Sequence, residues 1–384
     1  MPQFLVHDEP AAGPATHVIV IGVGAYPHLK DGTGALTPDH DGMGQLSSPP
    51  ISARAFADWV IRSFHHPAKP LSTVALLVSA KNSEPFQNSR TGRFYEEIAP
   101  ATSEMVSEAI KEWKDRGDSN FGNLLIFYFC GHGITEGTDT ALLLADYGAD
   151  QQSSLNGALD FRRLCLGLKR CRATEQCFFI DACRASSRTL TDAQGFAGKV
   201  IIQPGRRDPT WEQPVRAPIF YATFNGDKAY GLPDTPSLYT QALMRALADW
   251  GADDENGTWQ VTTSRLAEAL ENAVVRKARE FDRLQLTTAD GMTKIYLHQL
   301  PGNPTVPIYV KSEPPLTSIC DAALTYGASG GALMPAPPGG RSGGDWEIEA
   351  TAGTYDFAAA FPSGEKREVR NMTVRPPYKP VTMR

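Results

Sequence analysis

An α/β architecture with a mostly parallel sheet follows from three observations. Short apolar runs rich in β-branched residues recur along the chain, helix-period stretches separate them, and two of the runs end abruptly in polar triplets. HVIVIGVGAY (17–26) is the first run, bounded by glycines as suits a strand buried on both faces. STVALLVS (72–79), NLLIFYFCG (123–131), EQCFFIDA (175–182), APIFYATF (217–224) and KIYLHQL (294–300) repeat the signal. Between them, 51–64 puts Ala53, Phe56, Ala57 and Val60 on one face, and 96–116, 161–171, 237–250 and 263–281 keep the same helical period. Strands alternating with helices give a sheet covered on both faces, with its chemistry at the carboxyl ends of the strands.

Composition narrows the class. Of 384 residues, 41 % are hydrophobic and 21 % charged, enough apolar material for a large core. A net charge of -6 argues against a nucleic-acid binder held by phosphate contacts. There is no run of about 18 apolar residues to span a membrane, and MPQFLVHDEPAAGPATH has no secretory pattern. The expectation is a cytoplasmic protein with no nucleic-acid or membrane partner. Its six cysteines, at 130, 165, 171, 177, 183 and 320, are expected to be reduced thiols. Four of them recur every six residues, but they fall on predicted helix and strand rather than in close pairs on a loop. Zinc is therefore set aside, and no metal or other cofactor is expected.

Residues 1–16 read as a flexible lead and 17–300 as the α/β domain. The proline-rich 301–314 reads as a linker. From 315 to 384, short alternating runs (DWEIEA, TYDFAAAF, REVRNMTV) separated by Gly, Pro and Ser predict a small all-β domain, with the glycine-rich 326–344 as a long loop or a disordered stretch.

Two strand ends carry the chemistry. FYFCGHG stops at Gly131, His132 and Gly133; CFFIDACRAS stops at Asp181, Ala182 and Cys183. One strand–helix–strand crossover separates them, so their strands can be neighbours with Cys183 and His132 facing each other. A thiol with a free pKa of about 8.5 is mostly protonated at neutral pH, and an adjacent imidazole can take its proton. The N–H groups of Gly133 and Cys183 are candidate oxyanion donors. Each motif alone has a bland reading: a turn with a capping histidine, and an inert buried thiol.

GHG after one apolar strand and D-A-C-R after the next resemble the caspase and metacaspase superfamily, over roughly residues 17–300. APIFYATFNGDKAYG followed by SLYTQALMRAL is similar to that family's last core strand and helix. The resemblance implies a caspase-like cysteine endopeptidase with His132 and Cys183 as its dyad. Two residues before the nucleophile, caspases carry glutamine and metacaspases aspartate. Here it is Asp181, which implies a pocket for a basic residue before the scissile bond. Where metacaspases carry a second pocket acid, QLSSPPISARAF has none, and Asp227 is the substitute candidate. Cys130 is expected to be a packed strand residue.

The resemblance further implies a protein substrate and a regulated effector role, as in bacterial anti-phage systems triggered by a nucleotide signal or an activating protein partner. Arg206 and Arg207, in PGRRDP, mark a segment suited to self-processing. There is no phosphate-binding glycine loop in the C-terminal region and no EF-hand-type calcium loop. The alternative function is a non-proteolytic scaffold or sensor acting through the β domain.

Overall fold

The computed structural model describes residues 3–211, 213–227, 229, 231, 233–255, 257–312, 323–337, 341–342 and 345–384. These divide into two compact units, one of residues 1–244 with 284–295 and one of 245–283 with 296–384.

The first unit is built on a seven-stranded sheet. Its strands are β1 (Leu5–Asp8), β2 (Thr16–Val23), β3 (Leu71–Ser79), β4 (Leu124–Gly131), β5 (Glu175–Ala182), β6 (Ile219–Tyr221) and β7 (Thr288–Asp290), in spatial order β1-β3-β2-β4-β5-β6-β7. The five inner strands run parallel, and β1 and β7 are antiparallel edges. Every residue of β2, β3 and β4 is buried, as expected of strands covered on both faces.

Alternation along β4 sorts the two layers. Phe127 and Phe129 join Val106, Ile110 and Trp113 of α2 (Ser103–Gly117) and Phe161 and Leu164 of α3 (Phe161–Leu168) in one core cluster. Tyr128 points the other way, stacking on Phe56 of α1 (Ser48–Ser63) and sharing a 2.6 Å hydrogen bond with Thr240 of α4 (Leu238–Arg245). Pro49 and Pro50 open α1, where missing N–H groups cost least. Thr102 caps α2 by accepting the Met105 N–H.

The N-terminal segment departs from the sequence expectation of a flexible lead. Leu5–Asp8 pairs antiparallel with β3, Val6 is fully buried, and the Leu76 N–H donates to the Phe4 carbonyl at 2.7 Å. A four-residue edge strand is too short to stand out by periodicity.

In the second unit, α5 (Thr263–Arg279) lies with an antiparallel sheet of 252–255, 258–262 and 296–299. The run read at 294–300 therefore contributes its strand to this small sheet, not to the main one. Two four-stranded sheets follow. One holds β8 (Thr305–Ser312), β10 (Asp345–Thr351) and β13 (Lys379–Met383); the other holds β9 (Ala323–Ala328), β11 (Gly353–Ala360) and β12 (Lys366–Val374). Val306, Ile308 and Val310 share a core with Leu324, Trp346, Ile348 and Phe357.

The expected linker 301–314 is thus largely strand. β8 pairs with β10 on one side and with β13 on the other. Its prolines hid the alternation: Pro307 sits one position before the β13 ladder begins at Ile308, so its missing N–H is tolerated. Part of the expected 326–344 loop is also strand, at Ala323–Ala328 and Met334–Pro335. Residues 313–322, including Cys320 and the expected start of the β domain, and 338–340 and 343–344 of that loop lie outside the described residues.

Candidate active site

The parallel ladder between β4 and β5 pairs Leu124 with Glu175, and every later rung keeps that offset up to Gly131 with Ala182. His132 and Cys183 are the next residues on each strand. They emerge at the carboxyl edge of the sheet, next to the point between β2 and β4 where the strand order reverses. Both line a cavity of about 90 Å³ together with Leu46, Ser48, Asp181 and Ala229.

His132 is held from two sides. Its Nε2 lies 2.7 Å from the Gly44 carbonyl, so Nε2–H donates there and Nδ1 is left as the basic nitrogen. Its backbone N–H donates to the Tyr26 hydroxyl at 2.9 Å, that hydroxyl donates on to the Leu143 carbonyl at 3.3 Å, and the two rings lie 4.9 Å apart. Burial lowers the His132 pKa, and the bond to Gly44 partly opposes this, so the neutral imidazole is favoured.

Gln45 fastens this support. The Tyr26 N–H donates to its Oε1 at 2.8 Å, and its Nε2 donates to the carbonyls of Tyr26 and Lys30 at 2.8 and 2.9 Å. One side chain therefore fixes both Tyr26 and the loop that presents Gly44. No motif in the sequence identifies these supporting groups. Tyr26, Gly44 and Gln45 follow the first apolar strand, and its glycine-rich carboxyl-side loop was the only available signal.

Cys183 is half-buried, and the Ala229 N–H donates to its sulfur at 3.3 Å. Gly133 belongs to the next strand, Gly133–Glu136; a Cβ there would meet the Cys183 carbonyl at 2.6 Å and the Ala182 Cβ at 2.9 Å. Only glycine lets the two strand ends approach so closely.

Asp181 is buried, at 3 % exposure. It accepts from the Thr240 hydroxyl at 2.7 Å, from the Cys130 thiol at 3.3 Å and from the Ser237 hydroxyl. Burial raises its pKa, and those three bonds oppose the rise. Cys130 is itself buried and its pKa is raised well above normal by burial, the behaviour of a packed thiol. Asp227 stands apart: it sits on an exposed turn, its carbonyl accepting from the Arg184 N–H at 3.1 Å, and it does not line the cavity.

Arg206 is exposed, while Arg207 lies over the Trp211 ring at 5.3 Å and bonds the Gln213 carbonyl. This segment reaches the amino end of the sheet, where Arg216 bridges to Glu175, opposite the Cys183 edge. Among the described residues no three His, Cys, Asp or Glu side chains converge to hold a metal ion, and no helix is long and apolar enough to cross a membrane.

The family model of the caspase domain matches residues 86–288, more than half of the chain. The chain belongs to the caspase-domain peptidase family. An uncharacterised protein of Sinorhizobium fredii is 28 % identical over 264 residues, 66 % of this chain and 70 % of the relative. A protein of a Desulfuromonadales bacterium named as a probable protease is 26 % identical over 200 residues, 46 % of this chain but 22 % of its own length. The crystal structure of caspase-1 from Spodoptera frugiperda aligns with a TM-score of 0.41 and 13 % identity, over 77 % of this chain and 98 % of that one. Membership of this family supports a cysteine peptidase, with protein as the substrate class.

Proposed function

We propose that the chain is a cysteine endopeptidase that cleaves after basic residues, with Cys183 as nucleophile and His132 as its base. The observation that carries this reading is the shared end of the β4–β5 ladder, together with the Gly44 bond that leaves Nδ1 of His132 as the basic nitrogen. His132 takes the thiol proton and Cys183 attacks the substrate carbonyl. The N–H groups of Gly133 and Cys183 hold the oxyanion. The imidazolium then protonates the leaving amine, and water, deprotonated by His132, releases the acid.

Asp181 supplies the negative charge in the pocket for the basic residue. The regulated effector role in bacterial defence, answering a nucleotide signal or a partner protein in the cytoplasm, rests on the family resemblance.

The test is cleavage of a fluorogenic peptide library varied at the position before the scissile bond, with Cys183→Ala and Asp181→Asn alongside. Cleavage after Arg or Lys, abolished in Cys183→Ala and weakened in Asp181→Asn, is expected. Asparagine keeps the side-chain shape, so the orphaned partners an alanine would leave do not confuse the result. Cleavage after Asp alone overturns the specificity. A cellular effect that persists in Cys183→Ala favours the scaffold reading.

A further inference from the structure

We infer that Ser48 is the second acceptor of the pocket that receives the residue before the scissile bond, and that with Asp181 it selects arginine over lysine. This deepens the reading above and rests on it. Ser48 is the first residue of α1, is only 7 % exposed, and lines the same cavity as Asp181, His132 and Cys183. Its hydroxyl has no hydrogen-bond partner among the described residues. A buried hydroxyl left unpaired is destabilising, so a ligand that satisfies it gains by doing so.

The surroundings favour a cation. The three hydrogen bonds to Asp181 all end on Oδ2, so Oδ1 receives none of them. A helix start ordinarily presents orphan N–H donors and positive potential, which repel a cation. Here the next two residues are Pro49 and Pro50, which have no N–H, and Pro49 lines the cavity beside the serine oxygen. The backbone of Gly231 passes over this point: a Cβ there would stand 3.0 Å from Ser48 Oγ. The pocket thus offers two oxygen acceptors on separate elements, one charged and one neutral. A planar guanidinium can divide its N–H groups between two such acceptors, whereas an ammonium concentrates its donors at one point.

The experiment compares kcat/KM of the full chain on matched peptides ending in Arg or Lys, for the native protein, Ser48→Ala and Ser48→Thr. The native protein is expected to prefer Arg. Ser48→Ala should lower the Arg rate about tenfold or more and bring the Arg:Lys ratio close to one, while Ser48→Thr keeps the preference. A ratio unchanged in Ser48→Ala overturns the role of Ser48 but leaves the basic pocket standing. A native protein that cleaves only after non-basic residues overturns both. Should no peptide be cleaved, alkylation of Cys183 by peptidyl chloromethyl ketones ending in Arg or Lys, read by intact mass, gives the same comparison. No labelling by either overturns both readings.

Discussion

Gly131 and Ala182 face each other across the last rung of the β4–β5 ladder, and this pairing brings His132 beside Cys183. Two residues far apart in sequence become neighbours because one parallel register holds without slip along eight residues of each strand.

The support behind His132 sets a pH dependence. Only the neutral imidazole can accept the thiol proton. Its pKa is lowered by burial, so the acidic limb of kcat/KM is expected below pH 6.5, the free value. Gln45→Ala frees the loop that carries Gly44 and weakens the one interaction that raises this pKa. The limb should move lower still, and kcat should fall about tenfold. A pH–rate profile identical to that of the native protein would reduce Gln45 to a loop residue.

Tyr26→Phe removes the acceptor of the His132 N–H and leaves that half-buried donor unpaired, at a cost of about 1 kcal/mol. Steady-state kinetics should show kcat reduced about tenfold with KM little changed, because the tyrosine hydroxyl is spent on His132 and Leu143. A change confined to KM would contradict this.

Gly133→Ala forces its new methyl against the Cys183 carbonyl and the Ala182 side chain. One strand end must then move. A displacement of about 1 Å at reacting groups costs about a hundredfold in rate, which a peptide assay reads directly. Near-native activity in a folded Gly133→Ala would show that the close approach is not needed.

His17 governs a second, structural pH dependence. It is buried, its Nδ1 lies 2.9 Å from the Thr73 hydroxyl, and burial lowers its pKa to about 4. Between pH 6.5 and about 4 the unfolded chain binds a proton that the folded one does not, so stability falls as pH falls through that window. The loss is on the order of 3 kcal/mol. Urea titrations at pH 7 and 4.5 should show a smaller drop for His17→Gln than for the native protein. Equal drops would assign the effect to other groups.

Ile308 tests the nature of the segment expected to be a linker. It is fully buried within the C-terminal core. Ile308→Ala should destabilise the second unit by about 2–5 kcal/mol in chemical denaturation. A change within about 0.5 kcal/mol, the usual range for a surface substitution, would return the segment to a linker.

The parallel α/β sheet and its two decisive strand ends were legible in the sequence because both are local signals. A strand buried on both faces needs a continuous apolar run, and a residue at its end needs only the run to stop, as at Gly131 and Ala182. The short edge strand at Leu5–Asp8 and the proline-interrupted strand at Thr305–Ser312 were hidden, since each is identified by its pairing partner more than by its own pattern. The sequence by itself determined that a histidine and a cysteine each follow the end of a buried strand, and that an acid precedes the cysteine by two positions; that the two ends adjoin is set by the register of the sheet. The tertiary structure alone decided what surrounds them. The Gly44 carbonyl on His132, the Gln45 clamp on Tyr26, the Ser48 hydroxyl in the cavity and the exposed position of Asp227 depend on how loops return across the sheet. Those are contacts between residues distant in sequence, made by backbone groups and small polar side chains that have no periodic signature.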